Sequence, residues 1–94
     1  MNIYYVELFD YYGELFTDKQ KEYFMDYYFN NLTLQEIAEN NNVSRNAVHK
    51  NIKDINKKLD YYEEKLKLCS NKKIIQELIK DIDKDIKEKI EELI

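Results

Sequence analysis

The chain has no proline, one glycine (Gly13), one cysteine (Cys69), one histidine (His49) and one arginine (Arg45). Proline and glycine punctuate loop-rich and β-rich architectures, so their scarcity points to long helices joined by short connections. A lone cysteine excludes an intrachain disulfide framework and fits a reducing compartment. Apolar runs end after a few residues, which excludes a membrane span. The start "MNIYYVELFD" carries acids where a secretory leader needs a basic segment. A cytoplasmic location is therefore expected, without membrane association. His49 has no Cys or His partner at ligand spacing, so no metal is expected. No nucleophile–base pair is signalled, and Gly13 alone cannot form a phosphate-cradling loop. The chain is read as non-enzymatic, with no catalytic residue, no cofactor and no small-molecule substrate.

What is present is apolar and charged in large measure: 44 % hydrophobic and 36 % charged residues. That apolar share is too high for simple disorder. Ninety-four residues make one domain with a thin core, so burial against a partner or a second copy is expected.

Five helices can be read. The first covers about 3–15, with Val6, Phe9, Tyr12 and Phe16 near helical spacing. Gly13 near its end marks a cap or a close packing point. Thr17-x-x-Gln20 has the form of a capping box and opens a second helix over about 18–29. Asn30-Asn31 should stop it, because Asn tolerates the left-handed conformation. Thr33-x-x-Glu36 is a second box, opening a helix from Leu34 to about Asn41. Ser44 caps a fourth helix over about 45–68. In it Val48, Ile52, Ile55, Leu59, Tyr62, Leu66 and Cys69 follow at alternating steps of 4 and 3, a heptad seam. Ser70 or Asn71 then caps a fifth helix, with Ile75, Ile79, Ile82, Ile86, Ile90 and Leu93 as its seam. The chain thus divides into a helix-turn-helix domain over 1–69 and an amphipathic C-terminal helix over 70–94. That last helix is expected to fold back on the fourth as a hairpin, the two seams burying each other, or to pack on a partner chain. Ile52, Ile55, Leu59, Tyr62 and Leu66 are the expected helix-packing or dimer residues.

The window 33–53 meets every demand of a helix-turn-helix. Ala38 is small enough for a close crossing. Asn41 or Asn42 tolerates positive φ in the turn. Val43 should plug the turn, Ser44 caps the second helix, and Ala47 and Val48 face inward. Charge singles out the same place. Between Ser44 and Lys58 stand five bases and one acid, Asp54, a local charge of +4, within a chain whose net charge is −4. Such a helix attracts a phosphate backbone while its acidic flanks repel it. Arg45, Asn46, His49, Lys50, Lys53 and Lys57 are the candidate nucleic-acid-binding residues. Arg and Asn can make bidentate contacts to guanine and adenine edges, whereas the lysines suit phosphate.

From Leu8 to Leu68 the sequence resembles the YlxM family of small bacterial helix-turn-helix proteins. "TDKQ" at Thr17–Gln20, "EIAE" at Glu36–Glu39, "SRNAVH" at Ser44–His49 and "YEEKL" at Tyr62–Leu66 carry the resemblance. More distantly, the unit is similar to region four of primary-class sigma factors. The resemblance implies an all-α, wing-free bundle and genes beside those of the signal recognition particle GTPase and its receptor. It further implies a regulatory role in that pathway. Expected partners are DNA, or the particle's RNA or GTPase, together with a second copy of the chain. Two rivals stand: a regulator reading duplex DNA, and a protein adaptor that no longer binds nucleic acid. The chain departs from the family in having Asn41-Asn42 where relatives often carry Gly.

Four tyrosine pairs occur, at 4–5, 11–12, 27–28 and 61–62. Helical neighbours cannot both face a core, so one of each pair should be half exposed. Such tyrosines serve more often at a core edge or subunit contact than as a stacking platform for RNA. Cys69 is read as core, and the carboxylate pairs Glu63-Glu64 and Glu91-Glu92 as solvated.

Overall fold

The computed structural model describes residues 2–94, and all its regular elements are helical. Helix α1 spans Ile3–Tyr12 and runs into one 3-10 turn, Gly13–Leu15. Helices α2 (Asp18–Tyr28), α3 (Leu34–Asn41) and α4 (Arg45–Leu66) follow, then α5 (Leu68–Leu78) and α6 (Lys84–Glu91).

The starts and stops are local chemistry. Both capping boxes form: Thr17 and Thr33 accept from the backbone of Gln20 and Glu36, whose side chains reach back to the threonine N–H groups. Asn31 and Asn42 take φ of 55°. Gly13 is a packing point with ordinary helical φ. A Cβ there would meet the Phe9 ring at 3.0 Å.

Helix α4 packs on α1, α2 and α3. Its Val48, Ile52, Ile55 and Leu59 are buried among Leu8, Tyr12, Phe24, Ile37 and Ala38. Phe9 stacks on Phe24 with ring centroids 4.0 Å apart. In every tyrosine pair one ring is the more buried: Tyr5, Tyr12, Tyr28 and Tyr62 turn inward, and Tyr4, Tyr27 and Tyr61 are exposed.

The C-terminal third differs from the single helix expected over 70–94. It is two helices, broken over residues 79–83. The isoleucine spacing continues through the break, but Asp81 and Asp83 favour a helix N-terminus over an interior or a C-terminus. Asp85 in the first turn of α6 and Lys89 in its last complement that helix's dipole. The seam of α4 is buried in the domain below it rather than along a returning helix. Helix α5 leaves α4 at a one-residue turn and packs on α1 as well as on the end of α4. Leu93 and Ile94 return beside Leu68 and Ile75, so the fold-back lies between α5 and α6. Many apolar side chains of this arm stay exposed, among them Ile74, Leu78, Ile82, Ile86 and Leu93.

The fourth helix, expected over 45–68, ends at Leu66, where Lys67 turns the chain. The φ of Lys67 is 54°, and α5 begins at Leu68 without Ser70 or Asn71 as cap. Glu63 performs that service from α4. Its carboxylate accepts from the N–H groups of Cys69 (3.1 Å) and Ser70 (2.9 Å) and from the Tyr12 hydroxyl (2.6 Å). The Tyr12 oxygen in turn accepts from the Leu68 N–H. Glu63 is therefore not the solvated carboxylate its sequence neighbours suggest. Burial raises its pKa, yet the hydrogen bonds from Tyr12, Ser70 and Cys69 outweigh that and hold it below the ordinary carboxylate value. Burial and the Glu63 contact push the Tyr12 hydroxyl up to about 12. Cys69 is buried, as its place in the seam implied.

Candidate nucleic-acid interface

The helix-turn-helix is α3, the turn Asn42–Ser44, and α4. Asn42 is left-handed (ψ 42°), its N–H reaching the carbonyls of Ala38 and Glu39. The Val43 N–H bonds the Ala38 carbonyl at 3.1 Å. This is the Schellman closure, with Asn standing where Gly is commonest. Ala38 is buried at the crossing, as its size requires. Val43 plugs the turn only in part, being 40 % exposed. Lys19 of α2 bonds the Asn41 Oδ1 at 2.6 Å, and Asn41 bonds the Ile37 carbonyl. These bonds brace the first helix of the unit against the domain. Ser44 accepts from the Ala47 N–H and fixes the start of α4.

The first four turns of α4 then separate by face. Val48, Ile52, Ile55 and Leu59 are buried in the chain's own core. Of the packing or dimer roles expected for Ile52, Ile55 and Leu59, the structure places all three in intrachain packing. Tyr62 is half-buried against that core, and Leu66 is 51 % exposed beyond it.

Arg45, Asn46, His49, Lys50, Lys53 and Lys57 are all exposed. Arg45 and Asn46 lie in the first turn after the cap. His49, Lys53 and Lys57 follow at four-residue steps and form one stripe. Lys50 pairs loosely with Asp54 at 3.5 Å. Among the described residues Arg45, Lys53 and Lys57 make no ion pair. Their charge faces solvent, so it is available to an anion.

The stripe borders a cleft that sequence reasoning missed. Tyr5 of α1, Tyr27 and Tyr28 of α2, and Asn56 of α4 line it beside Lys53 and Lys57, an open groove of about 470 Å3. The sequence shows the tyrosine pairs and the basic helix apart, and only the fold brings residues 5, 27 and 56 together.

The whole chain, residues 1–94, matches the family model described as "Putative helix-turn-helix protein, YlxM / p13 like". The chain belongs to this family. A UPF0122 protein of Malacoplasma penetrans is 49 % identical over 75 residues, covering 80 % of this chain and 70 % of its own length. One of Fusobacterium nucleatum is 46 % identical over 88 residues, covering 93 % and 85 %. A third, of Halalkalibacterium halodurans, is 44 % identical over 81 residues, covering 82 % and 74 %. The match extends through the C-terminal arm, beyond the Leu8–Leu68 stretch that carried the resemblance. Membership in a helix-turn-helix family agrees with the observed fold and suggests a regulatory rather than catalytic protein. No helix among the described residues is long and apolar enough to cross a membrane. No cluster of three or more His, Cys, Asp or Glu residues among them is placed to hold a metal ion.

Proposed function

We propose that the protein is a nucleic-acid-contacting accessory of the signal recognition particle pathway that works as a dimer. One observation carries the first part: the exposed face of α4 that a helix-turn-helix presents to nucleic acid bears Arg45, Lys50, Lys53 and Lys57. The +4 stretch at 44–58 lies on a rigid helix whose opposite side is buried in the core. The pathway itself comes from the family resemblance and is tested separately. Pull-down with tagged protein, with and without nuclease, should recover the particle's RNA or its GTPase. Loss of both would remove the pathway from this reading. Contact with nucleic acid is tested by fluorescence anisotropy on a duplex at low salt. Arg45→Ala combined with Lys50→Ala should weaken binding several-fold, with a shallower salt dependence. Absence of binding to any nucleic acid, duplex or single-stranded, even at low salt would leave the adaptor reading.

The second part rests on the arm. The arm exposes Ile74 and Leu78 on α5, Ile82 in the break, Ile86 on α6 and Leu93 after it, and exposed apolar side chains in such number mark an association surface. Both signs of charge are interleaved along "KDIDKDIKEK", Lys80–Lys89. A pattern with both signs interleaved can complement itself across a two-fold axis, so a second copy is the fitting occupant. Both the dimer and the C-terminal arm over 70–94, as a unit distinct from the helix-turn-helix domain over 1–69, belong to this proposal.

A further inference from the structure

The cleft beside α4 has the ingredients of a pocket for an unpaired base. We propose that it binds one unpaired nucleotide of a single strand, stacking the base on the tyrosines and holding the phosphate with Lys53 and Lys57. This deepens the nucleic-acid reading above and rests on it. Size, chemistry and place support it independently.

The volume, about 470 Å3, falls in the range of small-ligand sites. A neighbouring hollow of about 370 Å3 shares Tyr27 and Tyr28 and extends the cleft toward the N-terminus of α1. A strand could therefore run through it rather than end in it. Tyr27 is 37 % exposed and held edge-on by Tyr28, with ring centroids 5.0 Å apart. A ring fixed by its neighbour offers a face at little entropic cost. Every base has a π-face, so such a platform tolerates any sequence.

The polar groups are asymmetric. Lys53 and Lys57, one turn apart, have no acid paired with them among the described residues. The acid in the cleft, Asp60, is already engaged by the Tyr5 hydroxyl at 3.0 Å. Phosphate is therefore drawn to the lysine end and the base to the tyrosine end. Asn56 lies in the wall between them. Its Nδ2 donates to the Tyr28 hydroxyl at 2.8 Å, while its buried Oδ1 has no donor. The Asn56–Tyr28 bond fixes the Tyr28 ring as the wall behind the exposed Tyr27. The neutral carboxamide, unlike the acids elsewhere on α1 and α2, does not repel the phosphate beside it. Finally, His49 belongs both to the cleft and to the outer face of α4. A strand leaving a duplex on that face would meet the pocket directly.

The test is anisotropy with three labelled probes: oligoadenylate, its deoxy counterpart, and a blunt duplex. Binding of either single strand should fall at least about fivefold in Tyr27→Ala, the lower end of a lost base stack. Tyr27→Phe should retain it, and duplex binding should change less than twofold. Lys53→Glu with Lys57→Glu, at exposed positions, gives a second variant that does not touch the core. It too should weaken the single strands. The two strands compared show whether the 2′-hydroxyl contributes. Thermal melts confirm that each variant is folded. Single-strand binding indifferent to Tyr27→Ala, or absent while the duplex binds, overturns the pocket and leaves the outer face of α4 standing. Duplex binding that is absent while single strands bind in a Tyr27-dependent way upholds the pocket and removes the duplex reading. Failure of all three probes overturns both.

Discussion

Glu63 shows how little of a residue's role its neighbours in sequence reveal. Beside Glu64 it resembles half of a solvated pair, yet it caps a helix that begins five residues later. Locating that role requires the Lys67 turn, which brings the first N–H groups of α5 back toward α4. Glu63→Ala should cost about 1–2 kcal/mol, the scale of a lost helix cap, read as a lower thermal midpoint. The pH dependence follows from its lowered pKa. A carboxylate whose folded pKa lies below its unfolded value contributes stability in full above the unfolded value. That contribution is lost as pH falls through the folded value. Thermal midpoints should accordingly drop between neutrality and the acid end of the carboxylate range. In Glu63→Gln part of that drop should disappear, because the amide does not titrate. Equal pH slopes in the two proteins would show that the carboxylate is not stabilised by its cap. By contrast, Thr17, Thr33 and Ser44 are legible as caps and the left-handed closure is legible to within Asn41 or Asn42, because caps and closures act over three or four residues.

At the level of elements, the helix-turn-helix was readable and the arm was not, for a physical reason. A periodic seam records which face of a helix is apolar, not whether the helix is continuous or what covers it. Ile75, Ile79, Ile82 and Ile86 keep helical spacing across a break set by aspartates and by the chain's return. Likewise, the seam of α4 fits a coiled coil and a core equally well, and burial against α1, α2 and α3 decides for the core. The turn at Lys67 had no signal, since lysine is an unusual residue for a φ of 54°. That strain gives an element-scale prediction. A left-handed non-glycine residue costs roughly 1–2 kcal/mol, and glycine returns part of the gain as unfolded-chain entropy. Lys67→Gly should therefore stabilise the protein by about 0.5–1 kcal/mol net, measured by urea denaturation. The angle between α4 and α5 should stay the same. A destabilised variant would mean that the Lys67 side chain, rather than its backbone, holds the turn.

The whole molecule measures 54 × 24 × 20 Å, with a radius of gyration of 16.8 Å. A compact domain of this length would have about 12 Å. An elongated small chain has surface that it does not bury. Leu78 is 74 % exposed and Leu93 84 %. Burying such side chains contributes about 25 cal/mol for each Å2 of apolar area removed from water, so association is the economical outcome. The variants that test it must be chosen by burial. Leu59→Asp places a charge in a fully buried position of the core and should unfold the chain, which says nothing about assembly. Ile86→Asp combined with Leu78→Asp changes residues that are exposed in the monomer. Sedimentation should find a dimer for the parent protein and a monomer for this pair, while circular dichroism and the core's thermal unfolding stay close to parental. The monomer should also bind nucleic acid less steeply with protein concentration, because two α4 faces held together engage one duplex with a gain in effective concentration. A parent protein that sediments as a monomer throughout would remove the second copy from the arm.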